Sequence, residues 1–340
     1  MMKTVFINSI YDVDDSQSIQ KKLEECYTNT GNLVWHELCK REIAYDEEIN
    51  LYDISRNLDD SVLVVPVSNN LSVAETTFSK RLRGLLNVKA QIVVIGLGVQ
   101  ASQNINTPKK LVKELPRSKT QLLYEIANKS VSIGVRGEFT AACLDYMGIH
   151  NYRIIGCPSF YSGMLSNIEI KLPSAKLQKI CMNITGGSDV HKVIELALKC
   201  GVNSRLIMQG IKDRDEWVNN VRLRSNFEKN ARFFFHLNEW EDYIREEKFT
   251  FSFGTRLHGN MLSFLMGVPA LWITHDYRMN EIVDLLKLPY ISQRNFKKIK
   301  YLEELMERCI YDKGFYRNMI KMRREYISFL EENRVAHKFK

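Results

Sequence analysis

The chain has 340 residues, enough for two hydrophobic cores rather than one. Hydrophobic residues make up 45% and charged residues 26%, a composition that excludes an intrinsically disordered chain. A formal net charge of +8 invites anionic partners: nucleic acid, lipid headgroups or phosphorylated small molecules.

Near the start, Lys3-Thr4-Val5-Phe6-Ile7 is too short an apolar run for a signal peptide, and Asp12, Asp14 and Asp15 follow at once. No stretch approaches the roughly 20 apolar residues of a membrane span. The cysteines at 26, 39, 143, 157, 181, 200 and 309 are widely spaced, with no Cys-x-x-Cys pair. That pattern speaks against a disulfide framework and a zinc site, and for buried free thiols. The expected location is cytoplasmic. Basic residues lean toward the C-terminus, as in Lys297-Lys298-Ile299-Lys300 and Lys321-Met322-Arg323-Arg324, but Glu303, Glu304, Glu331 and Glu332 are interleaved. A solvated helix face accounts for this, with peripheral contact at the inner face of the membrane as the alternative. No motif or basic patch with interleaved aromatics points to nucleic acid.

Taken in chain order, short apolar runs alternate with amphipathic ones. Strands are expected at 4–8, 62–68, 91–96, 131–136 and 152–156, with helices at 73–86 and 121–129. An irregular stretch follows Gly156-Cys157-Pro158. The alternation then restarts, with strands at 179–185, 204–209, 231–236, 250–253 and 270–274 and helices at 189–200, 239–246, 257–266 and 281–286. Strands separated by helices imply parallel sheets, so the reading is α/β with two Rossmann-like domains. Residues 1–170 form the first, 171–300 the second, and 301–340 are helices packing back on both, with Leu302, Leu305, Met306, Ile310, Met319, Ile320, Ile327 and Leu330 as their apolar positions.

In such sheets, ligands collect beyond the carboxyl ends of strands, at helix N-termini. Gly254-Thr255-Arg256-Leu257-His258-Gly259 is the foremost candidate. Gly254 permits close approach of a ligand, the helix start offers free N–H groups, and Arg256 offers a planar fork for a carboxylate or phosphate. His258 in the same turn is disfavoured as imidazolium by the helix dipole and would be pushed the other way by a bound phosphate. Capping or packing beneath Trp272 is its competing reading. Arg136, in Ile133-Gly134-Val135-Arg136-Gly137-Glu138, stands at a second strand-to-helix junction. His275, Asp276 and Arg278 stand at a third, where Asp276 is read as an N-cap. Asn183 and Thr185, before Gly186-Gly187, close the first strand of the second domain, and a plain turn explains the glycines equally well. Asn32 and His36 are placed in a cleft loop of the first domain, against a helix-surface reading for His36. Gly96-Leu97-Gly98 follows a strand without a clear helix behind it, so a dinucleotide fingerprint is not supported.

Arg256-Leu257-His258-Gly259, Leu262-Ser263-Phe264, Gly267-Val268-Pro269-Ala270 and Asp276-Tyr277-Arg278 together resemble the polysaccharide pyruvyl transferase family. Ile133 to Glu138, Gly148-Ile149, Gly156-Cys157-Pro158-Ser159 and Gly96-Leu97-Gly98 follow the order of its landmarks, and the resemblance spans roughly 30 to 290. A Gly-Asp pair that many members carry after the first strand is replaced by Asn8-Ser9-Ile10-Tyr11-Asp12, with Gly31-Asn32 the nearest equivalent.

The resemblance implies a GT-B-like fold with the two sheets facing a central cleft. It also implies phosphoenolpyruvate as donor and a sugar, often lipid-linked, as acceptor. The product would be a pyruvate ketal, formed without a cofactor or metal. Carried onto this chain, it makes Arg256 and His258 the catalytic pair, and Arg136, Arg256, Leu257, Gly254 and Gly259 the donor contacts. Asn32, His36, Asn183, Thr185, His275 and Arg278 remain for the acceptor or the cleft wall. The first domain becomes the acceptor side and the second the donor side. A GT-B glycosyltransferase using a nucleotide sugar is the alternative, and it would need a base and ribose pocket in the second domain.

Overall fold

A computed structural model describes residues 2–10, 13–51, 58–74, 82–101, 105, 107–162, 178–185, 190–199, 203–221, 225 and 229–339. The first half contributes β1 (Lys3–Asn8), β2 (Glu47–Asn50), β3 (Ser61–Pro66), β4 (Leu71–Ser72), β5 (Gln91–Ile95), β6 (Val99–Gln100), β7 (Ile133–Val135) and β8 (Tyr152–Ile154). Four of these form a parallel sheet in the order β2-β1-β3-β5. The β7-β8 pair continues it through the parallel bridge Leu97↔Val135, and β4 pairs with β6.

In the second half come β9 (Lys179–Met182), β10 (Asn203–Met208), β11 (Ala231–Phe233), β12 (Phe251–Gly254), β13 (Ala270–Thr274) and β14 (Tyr290–Ser292). They form one parallel sheet in the order β11-β10-β9-β12-β13-β14. Counted within that half, the order is 3-2-1-4-5-6, the doubly wound arrangement whose chain reverses direction between β9 and β12. The fold is therefore α/β with two Rossmann-like units. The expected boundary at 170/171 and residues 75–81 of the helix expected over 73–86 lie outside the described residues, as do Gly186, Gly187 and Cys200, while 82–85 are helical.

The strands alternate strictly. Val5, Ile7, Leu63, Val65, Ile92 and Val94 enter one apolar cluster, while Phe6, Val62, Val64, Val93 and Ile95 enter the other. All of these positions are buried because each sheet face is covered, which is why these runs read as continuously apolar. The second cluster extends without a break into the other unit, taking in Phe251, Phe253, Trp272 and Phe264. At the junction, the helix Gly31–Glu42 packs on the helix Leu257–Leu265 and on the turn Pro158–Phe160.

The helix Lys313–Glu332 starts at an Asp312 cap, where Phe315 N donates to Asp312 Oδ1 at 2.8 Å. It crosses between the units: Asn318 Nδ2 donates to Leu285 O at 2.7 Å, and beyond its other end Asn333 Nδ2 donates to Ser132 Oγ at 2.9 Å. Its buried face is Phe315, Met319, Met322, Tyr326, Phe329 and Leu330. Ile320, expected on that face, is 51% exposed, and Ile310 before the helix is 65% exposed, because the aromatic stripe and not the isoleucines sets the seam. Among the described residues no helix is long and apolar enough to cross a membrane.

Candidate active site

The switch between β9 and β12 is built on buried amides. Asn183, just past β9, donates through Nδ2 to Ser252 Oγ and Asn260 Oδ1, both at 3.2 Å, and accepts at Oδ1 from Gln209 Nε2 at 3.2 Å. Asn260 Nδ2 donates to Gly254 O at 2.9 Å. All four side chains are essentially inaccessible to solvent. A Cβ at Gly254 would collide with the Asn183 backbone, and one at Gly259 with the Asn183 and Gln209 side-chain amides. The small residues therefore admit the scaffold, not a ligand: Gly254 and Gly259, expected as donor contacts, and Asn183, expected on the cleft wall, all lie behind the surface.

From this base the chain passes through Thr255 into Arg256, whose N–H donates to Asn183 O at 2.9 Å, and on into the helix Leu257–Leu265. Arg256 is held by Asp213, with Nη2 donating to Oδ1 at 2.6 Å. Oδ2 of the same Asp213 accepts from the Gln209 and Gly210 N–H groups at 2.8 and 3.0 Å. The first-turn amides of the helix have no partner within it, so its positive end faces the same space. After β13, Asp276 caps the next helix by accepting from Met279 N at 2.9 Å, and it pairs with Arg278 at 3.2 Å. The expected N-cap is thus the observed one.

Opposite stands Arg136, leaving β7. Its side chain is 1% exposed, and none of its guanidinium nitrogens has a hydrogen-bond partner among the described residues. The guanidinium lies 5.7 Å from the centre of the Trp35 ring. Gly98 makes room for it, since a Cβ there would come within 2.8 Å of Arg136 Cδ. The glycine pair that superficially suggested a dinucleotide loop is a seat for this arginine.

Arg136, Arg256, Leu257, His258, Asn32, Thr185, His275 and Arg278 all line one cavity of about 630 Å³ between the units. His36 does not. It lies inside the helix Gly31–Glu42, fully buried, with its ring 5.3 Å from Phe6. His36 belongs to the buried face of that helix, with Leu33, Val34, Trp35, Leu38 and Cys39, so it is neither in a cleft loop nor on a helix surface.

Asn29, Ser68, Asn69, Gln100, Gln209 and Lys212 also line the cavity and were missed. Gln209 ends the run 204–209, so the rule that exposed the other sites points to it as well. The loop at Tyr27 and Thr28 takes two consecutive left-handed conformations, with φ of 50° and 65°. From it Thr30 N donates to Gln209 O at 2.7 Å, spanning the two units beside the cavity. Strained residues of this kind persist where surrounding structure overdetermines them.

The electrostatics follow from burial. His258 Nε2 lies 3.8 Å from Cys157 Sγ, which also contacts Ser159 Oγ at 3.1 Å. Burial holds the His258 pKa well below the ordinary imidazole value, and the nearby Arg136 and Arg278 charges add to the effect. His275 is lowered as well, first by burial. Free of ligand, the cavity therefore presents neutral imidazoles among guanidinium groups. A triplet of Asp15, His236 and Glu239 has metal-like proximity, but it lies away from the cavity and Lys22 pairs with Asp15 at 3.0 Å.

A family model described as polysaccharide pyruvyl transferase matches residues 5–277. Among curated proteins nothing matches the chain. Solved structures similar to it include UDP-GlcNAc 2-epimerase from Neisseria meningitidis bound to UDP-GlcNAc, at 12% identity and TM-score 0.48, with 98% of this chain and 100% of that one covered. UDP-GlcNAc 2-epimerase from Methanocaldococcus jannaschii is similar at 9% identity and TM-score 0.45, with 91% of each chain covered. Os79 from O. sativa in complex with UDP is similar at 14% identity and TM-score 0.40, with 96% of this chain and 84% of that one covered.

Proposed function

This chain belongs to the polysaccharide pyruvyl transferase family, and we propose that it moves the pyruvyl group of phosphoenolpyruvate onto two hydroxyls of one sugar. That sugar would belong to a cell-surface polysaccharide or its lipid-linked precursor, handled at the cytoplasmic side. The observation that carries this reading is Arg136, a buried guanidinium with no hydrogen-bond partner among the described residues, across a cavity from Arg256, Arg278 and a helix N-terminus. An unpaired buried charge is costly and is explained by an anion that completes it. Phosphoenolpyruvate brings both a phosphate and a carboxylate.

The reaction then needs proton transfers at defined points. A proton adds to the methylene carbon of the donor and leaves an oxocarbenium-like centre next to it. The first sugar hydroxyl adds to that centre and gives up its proton. The bond to the phosphate oxygen breaks, the second hydroxyl closes the ring on the same carbon, and its proton is released. One hydroxyl proton balances the proton taken up by carbon, and the other leaves with phosphate.

His258, neutral before binding and with Nε2 turned to Cys157 Sγ, is suited to accept a proton. An arriving anion offsets the Arg136 and Arg278 charges and raises the imidazole pKa, so donor binding itself primes the proton transfer. Arg256, fixed by Asp213, and Arg278, fixed by Asp276, orient the donor. No Phe, Tyr or Trp lines the second unit's share of the cavity among the described residues, which disfavours a nucleotide-sugar donor.

Phosphate release from phosphoenolpyruvate against a panel of nitrophenyl and lipid-linked sugars tests the reading. His258→Ala should lower the rate by about 10²–10⁴ while leaving circular dichroism unchanged. Full activity in that variant removes His258 from the reaction. Stabilisation by uridine or guanosine diphosphate, but not by phosphoenolpyruvate, would replace the donor altogether.

A further inference from the structure

A second cavity of about 220 Å³ adjoins the first at the carboxyl ends of β1 and β3. The two share Tyr27, Asn32, Ser68, Asn69 and Gln100, so they form one continuous space. Their chemistry differs sharply. Among the described residues no Asp, Glu, Lys, Arg or His lines the second cavity, whereas the first holds three arginines and two histidines. In place of charge it has the amides of Asn32, Asn69, Asn70 and Gln100 beside Trp35 and Tyr27.

Two polar atoms there are conspicuous. Trp35 is 4% exposed and its indole Nε1, a donor, has no hydrogen-bond partner among the described residues; Asn69 Oδ1, an acceptor, is buried without one either. Buried donors and acceptors are almost always satisfied, and leaving them unmade costs stability, so where such atoms belong to residues lining a cavity, a ligand atom can complete them. A hydroxyl is the group that meets both needs, because it accepts from an N–H and donates to a carbonyl.

Resting on the pyruvyl-transfer reading, we infer that this cavity is the acceptor subsite and that it selects an uncharged sugar ring, bound through hydroxyls to Trp35 Nε1 and Asn69 Oδ1. A sugar carboxylate placed here would lose its hydration and find no cation within the lining. The indole body supplies an apolar wall for a ring face while its N–H reads a hydroxyl. Trp35 also stands under the Arg136 guanidinium, which sets the sugar beside the donor anion.

The matched probes are methyl glucoside and methyl glucuronide, which differ only at the sixth carbon, together with methyl galactoside and methyl mannoside. Binding to the full-length protein is read by saturation-transfer NMR, with the donor cavity filled by inorganic phosphate. At least one neutral glycoside should bind, and the glucuronide should bind tenfold or more weakly by comparison. Trp35→Phe and Asn69→Leu should each weaken the neutral glycoside about fivefold or more, the value of one lost hydrogen bond. Stabilisation by phosphoenolpyruvate should persist in both variants.

Equal binding of the glucuronide, unchanged binding in both variants, or no binding of any neutral glycoside would overturn the inference. Should neutral sugars bind as stated while phosphoenolpyruvate releases no phosphate with any acceptor, pyruvyl transfer fails and the sugar site stands. Should phosphate be released while both variants behave as the parent, the site fails and pyruvyl transfer stands.

Discussion

The two walls of the cleft are charged in opposite styles. On the second unit each arginine lining the cavity has a carboxylate of its own, Arg256 with Asp213 and Arg278 with Asp276. On the first unit the lining contains one charged residue, Arg136, with no hydrogen-bond partner among the described residues. A paired arginine is held in place and half neutralised, so it orients a ligand at little cost to the empty protein. An unpaired one destabilises the empty protein and gains most when an anion arrives. The difference separates positioning from anchoring.

The sharpest way to break this contrast is Arg136→Met, which keeps most of the stem beside Gly98 and deletes the charge. Phosphate release should fall about a thousandfold, the scale of losing a preorganised charge contact in a closed site. The ligand-free variant should melt a few degrees higher, because replacing an uncompensated buried charge with an apolar chain stabilises by roughly 1–4 kcal/mol. Differential scanning fluorimetry without substrate, alongside the rate, decides the matter. A variant that loses stability and activity together makes Arg136 a structural residue.

Asp213→Asn sharpens the other side. The amide can still accept from the Gln209 and Gly210 N–H groups, but it no longer offers Arg256 an anion. Arg256 then loosens, and the KM for phosphoenolpyruvate should rise about tenfold with a smaller change in kcat. An unchanged KM would mean that Arg256 needs no orienting partner, and the division between the walls would lapse.

The same contrast explains which parts of the site could be read from sequence. Arg256 to His258 was legible as cavity lining because a strand end, a helix start, an arginine and a histidine fall within a few residues. Arg136 was legible for the same local reason. The fold followed from two series of apolar runs, and parallel sheets buried on both faces leave that signal intact.

What stayed hidden depends on contacts distant in sequence. Nothing near Asn183 says that its amide turns inward to Asn260 and Gln209, and nothing near Gly259 says that its missing Cβ is claimed by that pair. His36 misled because it lies on the buried face of its helix, among Leu33, Val34, Trp35 and Cys39, while its sequence neighbour Glu37 and nearby Lys40 and Arg41 belong to the polar face, so nothing local marks the imidazole as fully buried. Trp35, one residue earlier in the same helix, sits in a run that reads as pure core, and only the cavity beside it shows that its N–H is unmet.

The smallest effect tests how the walls are held together. Glu281, on the helix after β13, accepts from Thr140 N at 2.7 Å and Thr140 Oγ1 at 3.0 Å, at the start of the helix Glu138–Tyr146 in the other unit. Burial raises its pKa to about 6, against the lowering pull of those hydrogen bonds and of Arg136. Between about 4.5, its unfolded value, and about 6, the native state keeps a proton that the unfolded chain has lost.

The folded state therefore loses stability at this group as pH rises through that window, and the loss is complete above it. A glutamine side chain in its place cannot ionise, yet it keeps an acceptor for Thr140 N. Glu281→Gln should match the parent near pH 4.5 and exceed it by at most about 2 kcal/mol above pH 6.5, as read by urea unfolding at both values. A variant less stable than the parent at the higher pH would show that the ionised carboxylate holds the units together. The charge on Arg136 would then already be partly answered from across the cleft, and its need for a substrate anion would shrink accordingly.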